Sequence, residues 1–265
     1  MGAELFELEL FGGDIERRYR KLRPELGVLP WGSLRKMPYN PEIQLAARSF
    51  WTKAAFQEYR AGAACAATLQ ALMQARAPLD LITRATRFAT DEMIHVELCA
   101  RLAGELGGGV ELIYDPEHLV ETFADSGVDP IVRASHLVVS VYCVGEAYSL
   151  PLLAGSCQAT RDPLINAVLS RIVRDEGDHG AFGWFYLDWV LPHLSAEDLK
   201  ALGITAQKAI DGLCAQLAEL GPQHAEDNSP MLGWLGKKEY INLARRSMSK
   251  QVIAPLQKRG IRPLT

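Results

Sequence analysis

The chain has 265 residues, of which 48% are hydrophobic and 23% are charged, a balance typical of a folded globular protein and not of a disordered or low-complexity chain. Its 28 lysines and arginines against 32 aspartates and glutamates give a net charge of -4, so the chain as a whole offers no positive field to a phosphate backbone. We therefore expect no nucleic-acid partner.

The apolar stretches, the first residues and the cysteines predict where in the cell the protein is found. The longest apolar stretches, such as residues 137–144, are far shorter than the roughly 20 residues of a membrane span, so we expect no membrane partner. The first residues contain acidic side chains and no apolar signal core, which predicts a cytoplasmic protein. The five cysteines form no C-x-x-C pair, and we expect free thiols instead of a disulfide framework or a zinc site.

The first predicted helices form a hairpin. Asn40-Pro41 is typical of a helix start and opens a helix that runs to about residue 76. A second helix begins near Pro78 and ends at the glycines of residues 107–109. Residues 110–127 are too many for a tight turn and predict a crossover, with an extended piece at 110–114 and a short helix at 118–123.

A second hairpin follows. Asp129-Pro130 opens a helix to about residue 156, with Pro151 as a kink inside it, and Asp162-Pro163 opens a helix to about residue 192. A capping box at residues 195–198 starts a further helix to about residue 220, and the last predicted helix covers residues 237–258.

Two long hairpins joined by one long crossover predict an all-α fold with a ferritin-like four-helix bundle. We expect a single domain over residues 1–265, in which residues 41–191 form the bundle. Residues 1–40 and 192–265 are then extensions packed on it.

The motif D-E-x-x-H occurs twice, at residues 91–95 and at residues 175–179. The glutamate and the histidine of each motif are three residues apart, which makes them neighbours on one face of a helix. Each motif can therefore supply two ligands to one metal ion, namely Glu92 with His95, and Glu176 with His179.

One further glutamate precedes each motif by one predicted hairpin. Glu58 lies 34 residues before Glu92, and Glu146 lies 30 residues before Glu176. Both have apolar or small neighbours, where an unpaired charge would be costly. The chain thus contains a pseudo-two-fold set of six candidate metal ligands: Glu58, Glu92, His95, Glu146, Glu176 and His179.

The charges of these side chains indicate which ions they would hold. Four bare carboxylates would repel one another, whereas two divalent cations bring their summed charge to zero. Carboxylate and imidazole ligands without thiolate favour iron or manganese over structural zinc. We expect two iron ions, with manganese as the alternative in one or both positions. Asp91 and Asp175 are predicted to accept the outer imidazole N–H of the histidine on the opposite helix.

The repeated E…E-x-x-H pattern resembles the ferritin-like superfamily of non-haem di-iron carboxylate proteins, over residues 41–191. Members include bacterioferritins and rubrerythrins, which handle iron or peroxide, and oxygenases such as para-aminobenzoate N-oxygenase. The resemblance implies that the six residues named above are iron ligands. The N-oxygenase has one more histidine, a turn before its last E-x-x-H, and this chain has Ile172 at that position.

Three functional hypotheses follow. The first is a di-iron oxygenase or oxidase that reduces O2 and oxidises a small organic substrate, with electrons from the substrate or from a donor protein. Ala55 and Gly62 near Glu58 are predicted to leave room for that substrate, and Tyr142 to line its pocket. The second is an iron-handling protein, which acts as ferroxidase, iron store or peroxide scavenger. The third is a metal-free interaction module. The sequence does not fix the oligomeric state, and a homodimer is one of the assemblies it allows.

Overall fold

The computed structural model describes residues 3–36, 39–119, 127–220 and 232–263. Within these ranges the chain is mostly helical, so the all-α prediction is confirmed there. A short antiparallel pair joins β1 (Glu4–Leu5) to β2 (Ile113–Tyr114), with Glu4 opposite Tyr114. This pair attaches the N-terminal segment to the start of the crossover.

The α-helices of the described residues, in chain order, are α1 (Gly13–Leu22), α2 (Pro41–Gln74), α3 (Leu79–Glu105), α4 (Pro130–Val138), α5 (Ala147–Ala159), α6 (Pro163–Val190), α7 (Ala196–Ala218), α8 (Lys237–Ser247) and α9 (Ala254–Lys258). Short 3-10 turns cover Pro24–Gly27, Leu34–Lys36, Pro116–Leu119 and Leu191–His193. The predicted helix at 118–123 falls mostly on residues outside the described ranges.

The predicted helix starts coincide with capped N-termini. The side chains of Asn40, Asp129 and Asp162 accept hydrogen bonds from backbone N–H groups of the first turns of α2, α4 and α6. Each cap is followed by a proline, whose missing N–H costs nothing at that position. The capping box of Ser195 and Asp198 is present at α7. These local signals explain why the helix order is readable from the sequence.

The helix between α4 and α5 departs from α-helical geometry. Residues Val139–Glu146 form a π-helical segment that joins α4 to α5, so that one continuous helical run extends from residue 130 to residue 159. Pro151 lies inside α5. A second π-helical segment, Met248–Ile253, divides the predicted last helix. Such segments are rare and occur often at functional sites.

The long helices pack as the hairpins predict. α2 packs along α3, α5 packs along α6, and the two pairs meet through α2 with α4 and α3 with α6. Two apolar clusters fill the space between them. Along the helices they lie on opposite sides of the motifs. One contains Cys65, Phe88 and Phe182, and the other contains Ala55, Leu98 and Ile172. The order of layers in this interior is thus apolar, polar, apolar along the helix axes.

The run Pro130–Ala159 is also long and apolar enough to cross a membrane, judged by length and composition alone. Its most apolar window has a mean hydropathy of 1.6, and 56% of that window is buried inside the protein. The buried core helix of a folded domain passes the same test, and this run contains Glu146 at the polar layer of the interior. The expected absence of a membrane partner stays a prediction.

Candidate metal centre

The six predicted ligands meet in the polar layer between the helices. Glu58 is on α2, the first motif is on α3, Glu146 is the last residue of the first π-helical segment, and the second motif is on α6. They form two groups, and in each group the ligand atoms lie within 4.8 Å of one another. Glu92 and Glu176 belong to both groups, which are Glu58, Glu92, His95 and Glu176, and Glu92, Glu146, Glu176 and His179.

The two shared glutamates face both histidines, each with one oxygen per histidine. Nδ1 of His179 lies 3.0 Å from Oε1 of Glu92 and 3.1 Å from Oε2 of Glu176. Nδ1 of His95 lies 3.1 Å from Oε1 of Glu176 and 3.5 Å from Oε2 of Glu92. Glu58 Oε2 is also 3.5 Å from Nδ1 of His95. A carboxylate that bridges two metal ions has this arrangement of its two oxygens.

Several of these buried atoms lie close to one another but are not aligned for a hydrogen bond with any described residue. They are both carboxylate oxygens of Glu92, Oε2 of Glu176 and Nδ1 of both histidines. Leaving a buried polar atom unpaired costs about 1–3 kcal/mol, and more for a charged group. Carboxylate oxygens and imidazole nitrogens that converge without partners form a donor set that suits iron or manganese. The residues therefore fit a metal centre.

The two motif aspartates lie behind the histidines of the opposite helices. Nε2 of His95 is 3.3 Å from Oδ2 of Asp175, and because a carboxylate only accepts, the imidazole donates. Nε2 of His179 is 3.7 Å from Oδ2 of Asp91, which is too long for a hydrogen bond. The two halves thus share one pattern, but only Asp175 is close enough to its histidine for a hydrogen bond.

Two arginines that the sequence analysis did not single out hold these aspartates. Nε of Arg171 donates to Asp175 at 2.6 Å, and Nε of Arg87 lies 3.2 Å from Asp91. Each arginine precedes its aspartate by four residues, so the repeated motif is R-x-x-x-D-E-x-x-H. This longer repeat was present in the sequence and would have revealed the arginines. Arg171 also donates to Glu25 at 2.7 Å, which links the N-terminal segment to the site.

No protein-family model, curated protein or solved structure matches the chain. The assignment of a metal centre therefore rests on the geometry of this chain alone. Buried glutamates and histidines that can hold metal ions are present, whereas the identity and number of the ions stay predictions.

The protonation of the metal-free centre follows from burial and charge. Burial raises the pKa of Glu58 to about 8, and it raises the pKa of Glu146 well above its usual value. Burial lowers the pKa of His179, but Asp91 and the surrounding glutamates outweigh it and raise the pKa to about 12. The pKa of His95 is likewise raised against the effect of burial, by Asp175 and the surrounding glutamates. Without metal, protons thus offset part of the negative charge.

The three predicted pocket residues lie in packed surroundings. Ala55 is buried in an apolar cluster. At Gly62 a Cβ atom would collide with the methyl group of Met93, so the structure has close helix packing where the sequence predicted open space. Tyr142 is fully buried, and its hydroxyl donates to Sγ of Cys65 at 3.2 Å.

Proposed function

We propose that the protein is an O2-activating oxidoreductase whose helices form a ferritin-like bundle around two iron ions. The observation that supports this most is that the predicted ligands form two clusters, each with carboxylates and one imidazole, and that both clusters contain Glu92 and Glu176. A single structural ion would need one such group, whereas two adjacent groups with shared carboxylates suit a pair of ions. The proposed reaction is the oxidation of a small organic substrate.

Each residue has a distinct place in this proposal. Glu58 and His95 would hold one ion, Glu146 and His179 would hold the other, and the shared glutamates would contact both. The bound ions would supply the redox chemistry by which O2 is reduced, and manganese is the alternative to iron. Electrons beyond those of the substrate would come from a donor protein, because the sequence contains no G-x-G-x-x-G fingerprint for a flavin or nicotinamide.

Asp175 and Arg171 fix the imidazole ring of His95. Asp175 holds the proton of His95 on Nε2, which leaves Nδ1 free to bind metal. Arg171 in turn holds Asp175 in place and keeps its carboxylate ionised, since it lowers the pKa of Asp175 together with His95 against the effect of burial. Such outer partners orient metal ligands and increase their basicity.

Burial supports an enzyme that controls access to its centre. The side chains of Glu92 and both histidines are 0% exposed, while that of Glu58 is 15% exposed. Exclusion of water protects a reactive site from side reactions. The partly exposed Glu58 side chain marks the side from which O2 and a substrate would reach the centre.

The test is metal analysis followed by a single turnover with O2. We expect two irons per chain, and we expect a candidate organic substrate to accelerate O2 consumption by the reduced protein. If the chain instead retains iron far beyond two per chain and no compound accelerates the reaction, the iron-handling hypothesis is correct. If it binds no metal, the interaction module is correct.

A further inference from the structure

We propose that a surface cleft between the N-terminal segment and α3 binds an uncharged, apolar molecule, and that this is the substrate class of the centre. The second part rests on the proposed function, whereas binding itself does not. The cleft has a volume of about 1200 Å³, ample for a ligand of the usual 300–1000 Å³ pocket size.

The walls of the cleft are mainly apolar. They include Leu8, Phe11, Ile15, Trp31, Val96 and Ala100. Several of these side chains are left in contact with water, and Phe11 is 95% exposed. Contiguous apolar surface of this kind marks a binding site more often than an inert surface.

The charged groups of the walls are balanced, which argues for an uncharged occupant. Four acidic and four basic side chains line the cleft. Most of them pair with one another. Arg20 and Arg101 pair with Glu97, and Arg35 pairs with Glu105 at 3.1 Å. The guanidinium of Arg101 also stacks on Trp31 at 3.7 Å. The two lining charges without an ion pair among the described residues have opposite signs, Glu9 and Arg18. The walls therefore carry no excess of charge that would attract an anionic or a cationic ligand.

The cleft has wall residues that are sequence neighbours of two metal ligands. Tyr59 and Met93 line it, and they directly follow the ligands Glu58 and Glu92 in the chain. The Met93 methyl group fills the space next to Gly62, which lies one turn after Glu58 on α2. Methionine is unbranched and adopts alternative rotamers at low cost. Rotation of Met93 would connect a ligand in the cleft with the Glu58 edge.

The experiment measures binding of N-phenyl-1-naphthylamine, an uncharged fluorophore that brightens in apolar surroundings, to the full chain with and without metal. We expect saturable binding in both forms, competition by dodecanol, and no competition by butanol. In the Gly104→Phe variant binding should weaken about tenfold, because Gly104 lines the cleft and a side chain there meets open space. Gly212→Phe is the matched control, since Gly212 is also an exposed helical glycine with open space around it but lies on α7.

The outcomes separate the two proposals. Absent binding, or equal binding by Gly104→Phe and Gly212→Phe, would overturn the cleft site even if two irons react with O2. A dimer in sedimentation that excludes the probe until it dissociates would also overturn it, because a second copy would then cover the cleft. Saturable binding to a chain that takes up no metal would overturn the proposed function and leave the cleft site in place.

Discussion

Replacing Asp175 with alanine should weaken metal binding in the half of the centre that contains His95. The Asp175 carboxylate is buried, lies 3.3 Å from Nε2 of His95, and accepts from Arg171 at 2.6 Å. Without it the Nε2–H loses its acceptor, and the ring loses the hydrogen bond that orients Nδ1 toward Glu176. Loss of such a partner lowers metal affinity by a factor of about 10 to 100, which corresponds to about 1.4 to 2.8 kcal/mol.

The assay is an anaerobic titration of iron(II) in competition with a coloured chelator, for the wild type, Asp175→Ala and Asp178→Ala. Asp178 lies on the same helix but is half exposed and pairs with Arg84, so its replacement controls for the lost negative charge. We expect one of two sites to weaken in Asp175→Ala and neither in Asp178→Ala. Equal affinities in all three proteins would refute the argument that Asp175 orients His95.

Three further predictions concern the same centre. Glu92→Ala and Glu176→Ala should each impair both metal sites, whereas Glu58→Ala should impair only one. Metal analysis counts the ions that each variant retains. Loss of a single ion in all three variants would contradict the claim that Glu92 and Glu176 are shared ligands. The metal-free protein should lose stability as pH rises from about 5 to 8. The folded pKa of Glu58 is about 8 against 4.5 ordinarily, that of His179 is about 12 against 6.5, and those of Glu146 and His95 are also raised, so the folded protein binds more protons than the unfolded chain in this range. A Tm of the metal-free protein that rises over this range would have the wrong sign. Met93→Ala should speed chelator removal of bound iron, while Met93→Leu, which keeps the bulk, should not; identical rates would show that Met93 does not separate the cleft from the centre.

The sequence predicted the helix order because the decisive signals are local. Caps such as Asn40 and Asp162 act on backbone groups two or three residues away, and the structure has these hydrogen bonds. The motif spacing is also local, since a separation of three residues on a helix fixes which side chains are neighbours. The convergence of Glu58 and Glu146 on the motifs required only that the hairpins pack together.

Other features depend on contacts between distant parts of the chain. The space beside Gly62 is filled by Met93 from the neighbouring helix, which no pattern around Gly62 indicates. The π-helical geometry at Glu146 is not encoded by a short motif, and the N-terminal walls of the cleft pack on α3 through Tyr19, Arg20 and Glu97. The unequal distances of Asp91 and Asp175 from the histidines follow from helix packing, although the two motifs are alike in sequence.

The central claim is that Glu92 and Glu176 hold two metal ions together. A crystal structure of the iron-loaded protein with anomalous diffraction at the iron edge tests it most directly. We predict two anomalous peaks about 3.5 to 4 Å apart, each next to one histidine and both in contact with the two shared glutamates. A single peak, or peaks that lie away from Glu92 and Glu176, would contradict the account.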